Sequence, residues 1–197
     1  MNDDYDQPDF YRFNEDSLKL VKWVLLRVSS AETILDLGAG SGIIGIELAR
    51  ALLPRKLCLV EVQNEYAAHL NTNTKRFLPP CVSSEIQIQS FSQYTASEKF
   101  DVIVSNPPYY LPDNGELSSN LNRAVARSFI IDSWKILLEK IADSLSVQGA
   151  CYIVLKQDNR LYEYIKKEAA HSGLSLVRND SETLMFLLFR LDKNGNH

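Results

Sequence analysis

The stretch DLGAGSG, residues 36–42, decides the fold of this chain. It overlaps the end of a short apolar run, Thr33–Leu37, which predicts a buried strand, and it precedes apolar residues at helical spacing. Glycines at alternate positions allow a tight turn and a close backbone approach to a ligand, because no Cβ stands in the way. A helix starting at residue 41 or 42 offers free N–H groups and a positive dipole end to an anion. The sequence therefore predicts a strand–turn–helix unit with a ligand site in its turn.

The acidic residue at the end of the first predicted strand indicates which class of ligand the turn binds. Asp36 supplies a negative charge for an ammonium group, so a ligand with both a carboxylate and an ammonium fits the turn; the methionine half of S-adenosylmethionine has both. Gly40, Gly42 and Gly45 also satisfy the dinucleotide pattern GxGxxG, which alone is a weak signal. Counted from Gly38, the first glycine after the strand, the third position holds Ile43 instead. An NAD site therefore stays open as the alternative.

Working outward, strands and helices alternate along the chain, which predicts an α/β fold with a seven-stranded, mostly parallel sheet and helices on both faces. Helical spacing predicts one helix, capped by Asn64 and running to about Phe77, and another over residues 130–145. Only residues 178–182 separate the last two strands, which is too short for a parallel crossover, so one strand should be antiparallel. Ligands are expected beyond the first, second and fourth strands. The predicted strands are residues 33–37, 56–62, 86–89, 100–105, 150–155, 174–177 and 184–191.

Composition bounds the class of protein. The chain has 197 residues, 45% apolar and 23% charged, which is typical of one soluble globular domain over residues 1–197. The longest apolar run, residues 184–189, is far below the roughly 18 residues that span a bilayer, so no membrane partner is expected. Six acids and one base fall in residues 1–16 of a chain with net charge −4, and we expect residues 1–11 to form a mobile acidic leader. The body is therefore not acidic, and a nucleic-acid partner is not excluded.

Cysteine and histidine usage indicates a compartment and excludes a metal site. Three cysteines without a CxxC motif or a secretory signal predict a reduced, cytoplasmic location. The three histidines are scattered and build no metal-ligand spacing. No metal is therefore expected.

Glu61 ends the second predicted strand, after the apolar residues 57–60. A carboxylate at that position can accept both hydroxyls of a ribose, as the acidic residue of a nucleotide-binding fold does. Dinucleotides and S-adenosylmethionine both carry a ribose. Glu61 is therefore a candidate cofactor ligand that does not separate the two alternatives.

The stretch SNPPYY, residues 105–110, follows the fourth predicted strand without a gap. Pro107 restricts Asn106 to an extended conformation, so its amide is held at the strand end. The Asn106 carbonyl oxygen and the Pro107 backbone carbonyl can both accept from one –NH2 group, and Tyr109 offers a flat face to a planar group. Two such acceptors localise the lone pair of an amide or aromatic amine toward an electrophilic methyl group. Positioning and aimed dipoles then supply the rate without a strong base.

Together, residues 36–45, the LVEV run at residues 59–62 and SNPPYY resemble class I S-adenosylmethionine-dependent methyltransferases, which implies a Rossmann-like fold. The Asn-Pro-Pro-Tyr motif resembles the subgroup that methylates exocyclic amino groups of adenine or side-chain amides of glutamine. YRFNEDS at residues 11–17 and RAVAR at residues 123–127 resemble the family of bacterial tRNA1(Val) adenine N6-methyltransferases.

The resemblance implies a role for each matching residue. Relatives often carry an aspartate after the third strand, where this chain has Ser90, which can contact an adenine only as a neutral hydroxyl. Arg123 and Arg127 lie four apart near the start of a predicted helix, where both can contact phosphates. The implied catalytic residues are Asn106, Pro107, Pro108 and Tyr109; the cofactor residues are Asp36, Gly38, Gly40, Gly42, Glu61 and Ser90; the substrate residues are Tyr110, Arg123 and Arg127.

The sequence thus predicts a cytoplasmic enzyme that uses S-adenosylmethionine to methylate the exocyclic amino group of an adenine in tRNA. Protein glutamine N5-methylation of release factors is the first alternative. Such enzymes usually carry an extra N-terminal helical domain, whereas only about 30 residues precede the first strand here. An NAD-dependent oxidoreductase and a non-catalytic nucleotide-binding module are the alternatives from other classes.

Overall fold

The computed structural model describes residues 5–9, 15–107 and 134–191. No helix in those ranges is long and apolar enough to cross a membrane. A single 3-10 turn, Asn64–Tyr66, precedes α3. The helices are α1 (Glu15–Leu25), α2 (Ile43–Leu52), α3 (Ala67–Phe77), α4 (Trp134–Ser144) and α5 (Asn159–His171). The strands are β1 (Thr33–Leu37), β2 (Lys56–Glu61), β3 (Ser83–Ile88), β4 (Phe100–Ser105), β5 (Leu145–Lys156), β6 (Leu174–Asp180) and β7 (Leu184–Leu191).

The seven strands form one sheet in the order β3-β2-β1-β4-β5-β7-β6. β7 pairs antiparallel with both β5 and β6, and the other pairs are parallel. The predicted α/β class, the seven strands and the single antiparallel strand are confirmed. The strand order reverses between β1 and β4, so the carboxyl ends of these two strands border a crevice in which such sheets bind ligands.

Both faces of the central strands are buried, and their residues alternate between two apolar layers. Ile34 of β1 packs in the layer that also holds α1, α2 and α3, represented by Leu20, Ile46 and Leu70. Leu35 packs in the opposite layer, together with apolar residues of α4 and α5. The helices therefore fix the sheet from both sides and leave the strand ends to carry the site.

Several element boundaries differ from the sequence prediction, and two of these differences have a clear local cause. β5 begins at Leu145, which pairs with Phe100, and α4 therefore ends at Ser144. The register between β4 and β5 then shifts at Gly149, where a Cβ would lie 2.7 Å from the Phe100 carbonyl oxygen. Glycine allows this bulge, so strand pairing extends β5 upstream of the apolar run at residues 150–155.

The second difference lies at Asn64, which was predicted to cap a helix. It begins the 3-10 turn, and Gln63, the residue before it, makes no side-chain capping bond. The short turn tightens the start of α3, as 3-10 segments often do at helix ends.

Residues 5–9 of the leader lie against α2 and α3 in this structure. Tyr5 is only 7% exposed, donates its hydroxyl to Glu47 at 2.7 Å and stacks on Phe77 at 4.5 Å between ring centroids. The Asp6 backbone amide donates to the side-chain oxygen Oδ1 of Asn73 at 2.8 Å. A buried aromatic ring thus gives residues 5–9 an apolar contact with α3, and the mobility predicted for residues 1–11 stays a prediction.

Candidate active site

The turn after β1 is held by its backbone. Gly38, Gly40 and Gly42 have φ values of +77°, +55° and +85°, which side chains other than glycine adopt only with strain. The amides of Gly38 and Ala39 donate to the Val60 carbonyl at 2.9 and 3.0 Å, so the turn is tied to β2. The alternate glycines are therefore a requirement of this turn's conformation.

Two aromatic rings border the turn, and sequence reasoning missed both. A Cβ on Gly38 would lie 3.6 Å from the Phe91 ring, and one on Gly40 would lie 3.8 Å from the Tyr66 ring. Both rings are buried. Phe91 follows β3 and Tyr66 closes the 3-10 turn, so segments after two further strands line the same crevice.

Gly45 lies where α2 crosses the sheet. A Cβ there would meet Leu59 at 2.9 Å, Leu57 at 3.0 Å and the Asp36 carboxylate at 3.0 Å. This glycine therefore lets the helix pack closely on β1 and β2. Close helix–strand packing is also the role of the third glycine of a dinucleotide motif, so this residue does not discriminate between cofactors.

Asp36 has no exposed surface. Its Oδ2 accepts from the Gly45 amide at 2.8 Å, while its Oδ1 has no hydrogen-bond partner among the described residues. Burial raises the pKa of this carboxyl to about 7; the Gly45 amide lowers it, and the nearby Glu61 charge raises it further. An unpartnered buried carboxylate oxygen carries a desolvation cost that a cationic ligand group can relieve.

Glu61 lies at the end of β2 and braces the turn. Its Oε2 accepts from the Gly40 amide at 2.8 Å, and its Oε1 accepts from the Gln63 amide at 2.9 Å. Burial raises the pKa of this carboxyl above its usual value, and the backbone N–H groups oppose that shift. Each carboxylate oxygen has a further lone pair, so the same group can hold the turn and accept hydroxyls.

Ser90 lies after β3, buried beside Phe91. Its hydroxyl lies 2.8 Å from the Ser92 hydroxyl and donates to the side-chain oxygen Oε1 of Gln93 at 3.1 Å. Its carbonyl also accepts from the amides of Gln93 and Tyr94. The Ser90 hydroxyl therefore organises the turn after β3, and its contact with an adenine base stays a prediction.

Asn106 lies at the carboxyl end of β4, next to the turn after β1. The Ser105 hydroxyl donates to the Leu37 carbonyl at 2.7 Å, which joins the last residues of β4 and β1. The Asn106 amide nitrogen donates to the Ser17 hydroxyl of α1 at 3.0 Å. Asn106 is half-buried and Pro107 is buried. The amide that the sequence singled out therefore stands at the crevice between β1 and β4.

Five predicted site residues fall outside the described part of the chain. Two of them, Pro108 and Tyr109, were predicted to take part in catalysis. The other three, Tyr110, Arg123 and Arg127, were predicted to bind the substrate.

Sequence reasoning missed Ser17, which accepts from the Asn106 side chain, and Ser105, which joins the end of β4 to β1. A signal for Ser17 existed: residues 17, 20, 21 and 24 share the buried face of α1, so a serine interrupts an apolar stripe. A buried hydroxyl needs a partner, and such an interruption indicates one. The sequence alone does not say that the partner lies 89 residues away.

Comparisons with known proteins point to a methyltransferase family. The sequence profile of the family described as "Methyltransferase small domain" matches residues 17–173. A curated tRNA1(Val) (adenine(37)-N6)-methyltransferase from Bacteroides thetaiotaomicron is 33% identical over 164 residues, covering 83% of this chain and 66% of that protein. One of the same description from Shewanella halifaxensis is 31% identical over 150 residues, covering 73% of this chain and 57% of that protein. This chain thus spans less than two thirds of the length of these relatives.

Solved structures share the fold. A ribosomal protein L11 methylase from Lactobacillus delbrueckii superposes with a TM-score of 0.64 at 16% identity, covering 91% of this chain and 80% of that one. A precorrin-6y C5,15-methyltransferase from Geobacter metallireducens superposes with a TM-score of 0.62 at 12% identity, covering 97% and 96%. Their names describe unrelated substrates, so this likeness concerns the fold alone.

Proposed function

The chain belongs to the methyltransferase small domain family, and from that premise we propose that it methylates the exocyclic amino group of an adenine in tRNA with S-adenosylmethionine. One observation carries the proposal: the Asn106 amide stands at the end of β4, and the Ser105 hydroxyl joins that end to the start of the glycine turn at Leu37. An acceptor for an amino group and a turn suited to a charged cofactor therefore border one crevice.

The residues of the crevice fit the cofactor. Asp36 presents an unpartnered buried carboxylate oxygen, which suits an ammonium group. Gly38 and Gly40 add no side chain of their own beside the Phe91 and Tyr66 rings that border the turn, and Glu61 has lone pairs left for ribose hydroxyls. Bound there, S-adenosylmethionine would supply a methyl group on a positively charged sulfur. These residues would hold its amino-acid and ribose parts.

The chain's own contribution to the reaction is positioning and polarisation. The Asn106 carbonyl oxygen and the Pro107 backbone carbonyl are hydrogen-bond acceptors on consecutive residues, so both can accept from one exocyclic –NH2 group. Holding that group fixes the nitrogen and localises its lone pair. The proton becomes acidic once nitrogen is methylated, so no basic side chain is required and the rate comes from orientation and aimed dipoles.

The choice of acceptor follows from the relatives. The two curated relatives are described as tRNA adenine N6-methyltransferases, and their similarity to this chain covers most of it. An adenine amino group and a glutamine amide present the same –NH2 geometry to Asn106, so the loop itself does not discriminate between them. The relatives favour tRNA over a protein glutamine, and family membership favours methyl transfer over NAD-dependent hydride transfer.

The test is methyl transfer from labelled S-adenosylmethionine to tRNA purified from a strain that lacks this protein, followed by nucleoside analysis. We expect label in N6-methyladenosine, and none with tRNA from the parent strain, whose site is already methylated. Parallel reactions contain release factors, and a thermal-shift series compares NAD with S-adenosylhomocysteine. Label in protein glutamine would replace the tRNA assignment with the protein one. Stabilisation by NAD alone would overturn methyl transfer altogether.

A further inference from the structure

The hydrogen bond between Ser17 and Asn106 links a buried hydroxyl of α1 to the amide at the end of β4. Resting on the function proposed above, we propose that Ser17 is a positioning residue that decides which end of the Asn106 amide faces the acceptor. By taking the amide nitrogen at 3.0 Å, the Ser17 hydroxyl turns the Asn106 carbonyl oxygen away from itself. The carbonyl oxygen is the end that an amino substrate requires.

The orientation matters because the two ends of an amide have opposite chemistry. The oxygen accepts hydrogen bonds and the nitrogen only donates them. An acceptor amine carries hydrogens of its own, so a flipped Asn106 would oppose donor to donor and lose the dipole that localises the nitrogen lone pair. A hydroxyl can accept from an amide nitrogen or donate to an amide oxygen. In this structure the Ser17 hydroxyl accepts from the Asn106 nitrogen, which leaves the carbonyl oxygen as the other end of the amide.

The position of the Ser17 hydroxyl is fixed by the packing of α1. Ser17 is 4% exposed and stands on the buried face of α1 with Leu20, Val21 and Val24. Those residues pack in the same apolar layer as α2, and Trp23 of the same helix lies edge-on to Tyr152 of β5 at 5.4 Å. A hydroxyl carried by a well-packed helix loses little freedom when it bonds, so it can hold the amide in one orientation.

A second hydroxyl, that of Ser105, fixes the strand end beside the amide. The Ser105 hydroxyl bonds the Leu37 carbonyl, which sets the distance between the two strand ends. Because this bond joins β4 to β1 and does not involve the Asn106 amide, it selects neither amide orientation. The two serines therefore have separate roles, since Ser105 holds the strand end and Ser17 orients the side chain that follows it.

The experiment uses the full chain and compares Ser17→Ala with Ser17→Thr in steady-state tRNA methylation. Alanine is a good helix former and fits in the space of serine, so α1 should remain folded. We expect Ser17→Ala to lower kcat about tenfold, the scale of one hydrogen bond that aims a reacting group, with the Kd for S-adenosylhomocysteine unchanged. Ser17→Thr keeps the hydroxyl and should restore most of the lost turnover. Ser144→Ala is the matched control, because it removes an equally buried serine hydroxyl at the end of α4, and its kcat should stay within twofold of the parent value.

A double-mutant cycle separates orientation from stability. If Ser17 acts through Asn106, then Ser17→Ala should cost nothing further in the Asn106→Ala background, measured by single turnover. Equal losses in both backgrounds, a Ser17→Ala turnover within twofold of the parent protein, or a Thr variant with the parent melting temperature and no recovered activity would each overturn the proposal. A parent protein that methylates no tRNA would instead overturn the proposed function, so the two failures are distinguishable.

Discussion

The turn after β1 and the segment after β4 end neighbouring parallel strands, yet different interactions hold them. The β1 turn is fixed by three glycines with positive φ and by amides that donate to Val60 and Glu61. The end of β4 is fixed by side chains, through Ser105 to the Leu37 carbonyl and through Asn106 to Ser17. One half of the crevice is therefore built mainly from backbone conformation, braced by the Glu61 carboxylate, and the other from side-chain contacts.

This difference determines how each half responds to mutation. A backbone-built turn resists replacement of its glycines, because any Cβ forces the chain out of its conformation. A site built from side chains can stay folded when a hydroxyl or an amide is removed, but the group that this hydroxyl or amide held loses its orientation. Substitutions in the β1 turn should mainly change folding or cofactor binding, and those at the end of β4 should mainly change turnover.

The largest expected effect is at the end of β4. Asn106→Ala removes the acceptor that aims the substrate nitrogen and should lower kcat by about 10²-fold, as loss of one aimed polar group does in other enzymes. The Kd for S-adenosylhomocysteine should stay within twofold, because no cofactor ligand changes. Isothermal titration and single-turnover assays measure both quantities. Loss of cofactor binding in this variant would contradict the assignment of cofactor binding to the β1 turn and of turnover to the end of β4.

In the β1 turn, Gly42→Ala should destabilise the fold by about 2 kcal/mol, since the left-handed conformation alone costs an L-residue about 1–2 kcal/mol. Its Cβ would also lie 3.0 Å from Leu70 and 3.1 Å from Ile46. Gly173→Ala is the matched control: its φ is +70°, but among the described residues beyond its chain neighbours no atom lies within 4 Å of its Cβ. Urea unfolding should show about half the loss there. Equal losses at both positions would mean that strain, and not packing, sets the cost.

Glu61→Gln tests whether a carboxylate both braces the turn and binds the cofactor. The side-chain oxygen that remains can keep one of the two amide bonds, from Gly40 or from Gln63, and the other amide faces an –NH2 group. We expect affinity for S-adenosylhomocysteine to fall about tenfold, because hydrogen bonds to a charged acceptor are worth about 1.5–3 kcal/mol. Turnover at saturating cofactor should fall less. An unchanged Kd would remove Glu61 from the cofactor site.

The smallest expected effect is the pH dependence of Asp36. Its pKa is raised to about 7 by burial, so the carboxyl is partly protonated at neutral pH. A cofactor ammonium favours the ionised form, so affinity for S-adenosylhomocysteine should rise about threefold between pH 6.5 and 7.5 as the carboxyl ionises. Asp36→Asn should bind more weakly, with a flat profile in that range. A parent profile as flat as that of the variant would contradict the assignment.

The same carboxyl links pH to stability, and the sign follows from its raised pKa. Between its ordinary value of 3.8 and about 7, the folded state binds more protons at Asp36 than the unfolded chain does. Its contribution to stability is therefore largest at the acidic end of this range and declines as the pH rises. Urea unfolding of Asp36→Asn should show a smaller decline than the parent protein over the same interval.

Much of this site was predictable because its signals are local. The glycine turn and Asn106 follow strands directly, Glu61 is the last residue of one, and strand ends are visible in apolar periodicity. The 3-10 turn at Asn64 and the early start of β5 at Leu145 were not predictable, since pairing with a neighbouring strand and local tightening override the residue pattern. The packing of Tyr5 on Phe77 was likewise invisible, because the composition of the leader gives no sign of a docking surface.

By itself, the sequence determined an α/β sheet with one antiparallel strand, a glycine turn and an amide at the end of the fourth strand. These features follow from the φ preferences of single residues and from the periodicity of apolar side chains, both of which can be read from residues adjacent in sequence. Only the tertiary structure decided that Ser17 meets Asn106, that Ser105 joins Leu37 and that Asp36 is buried against Gly45. Such contacts require helices and strands distant in sequence to pack in one register, and no local pattern records the outcome of that packing.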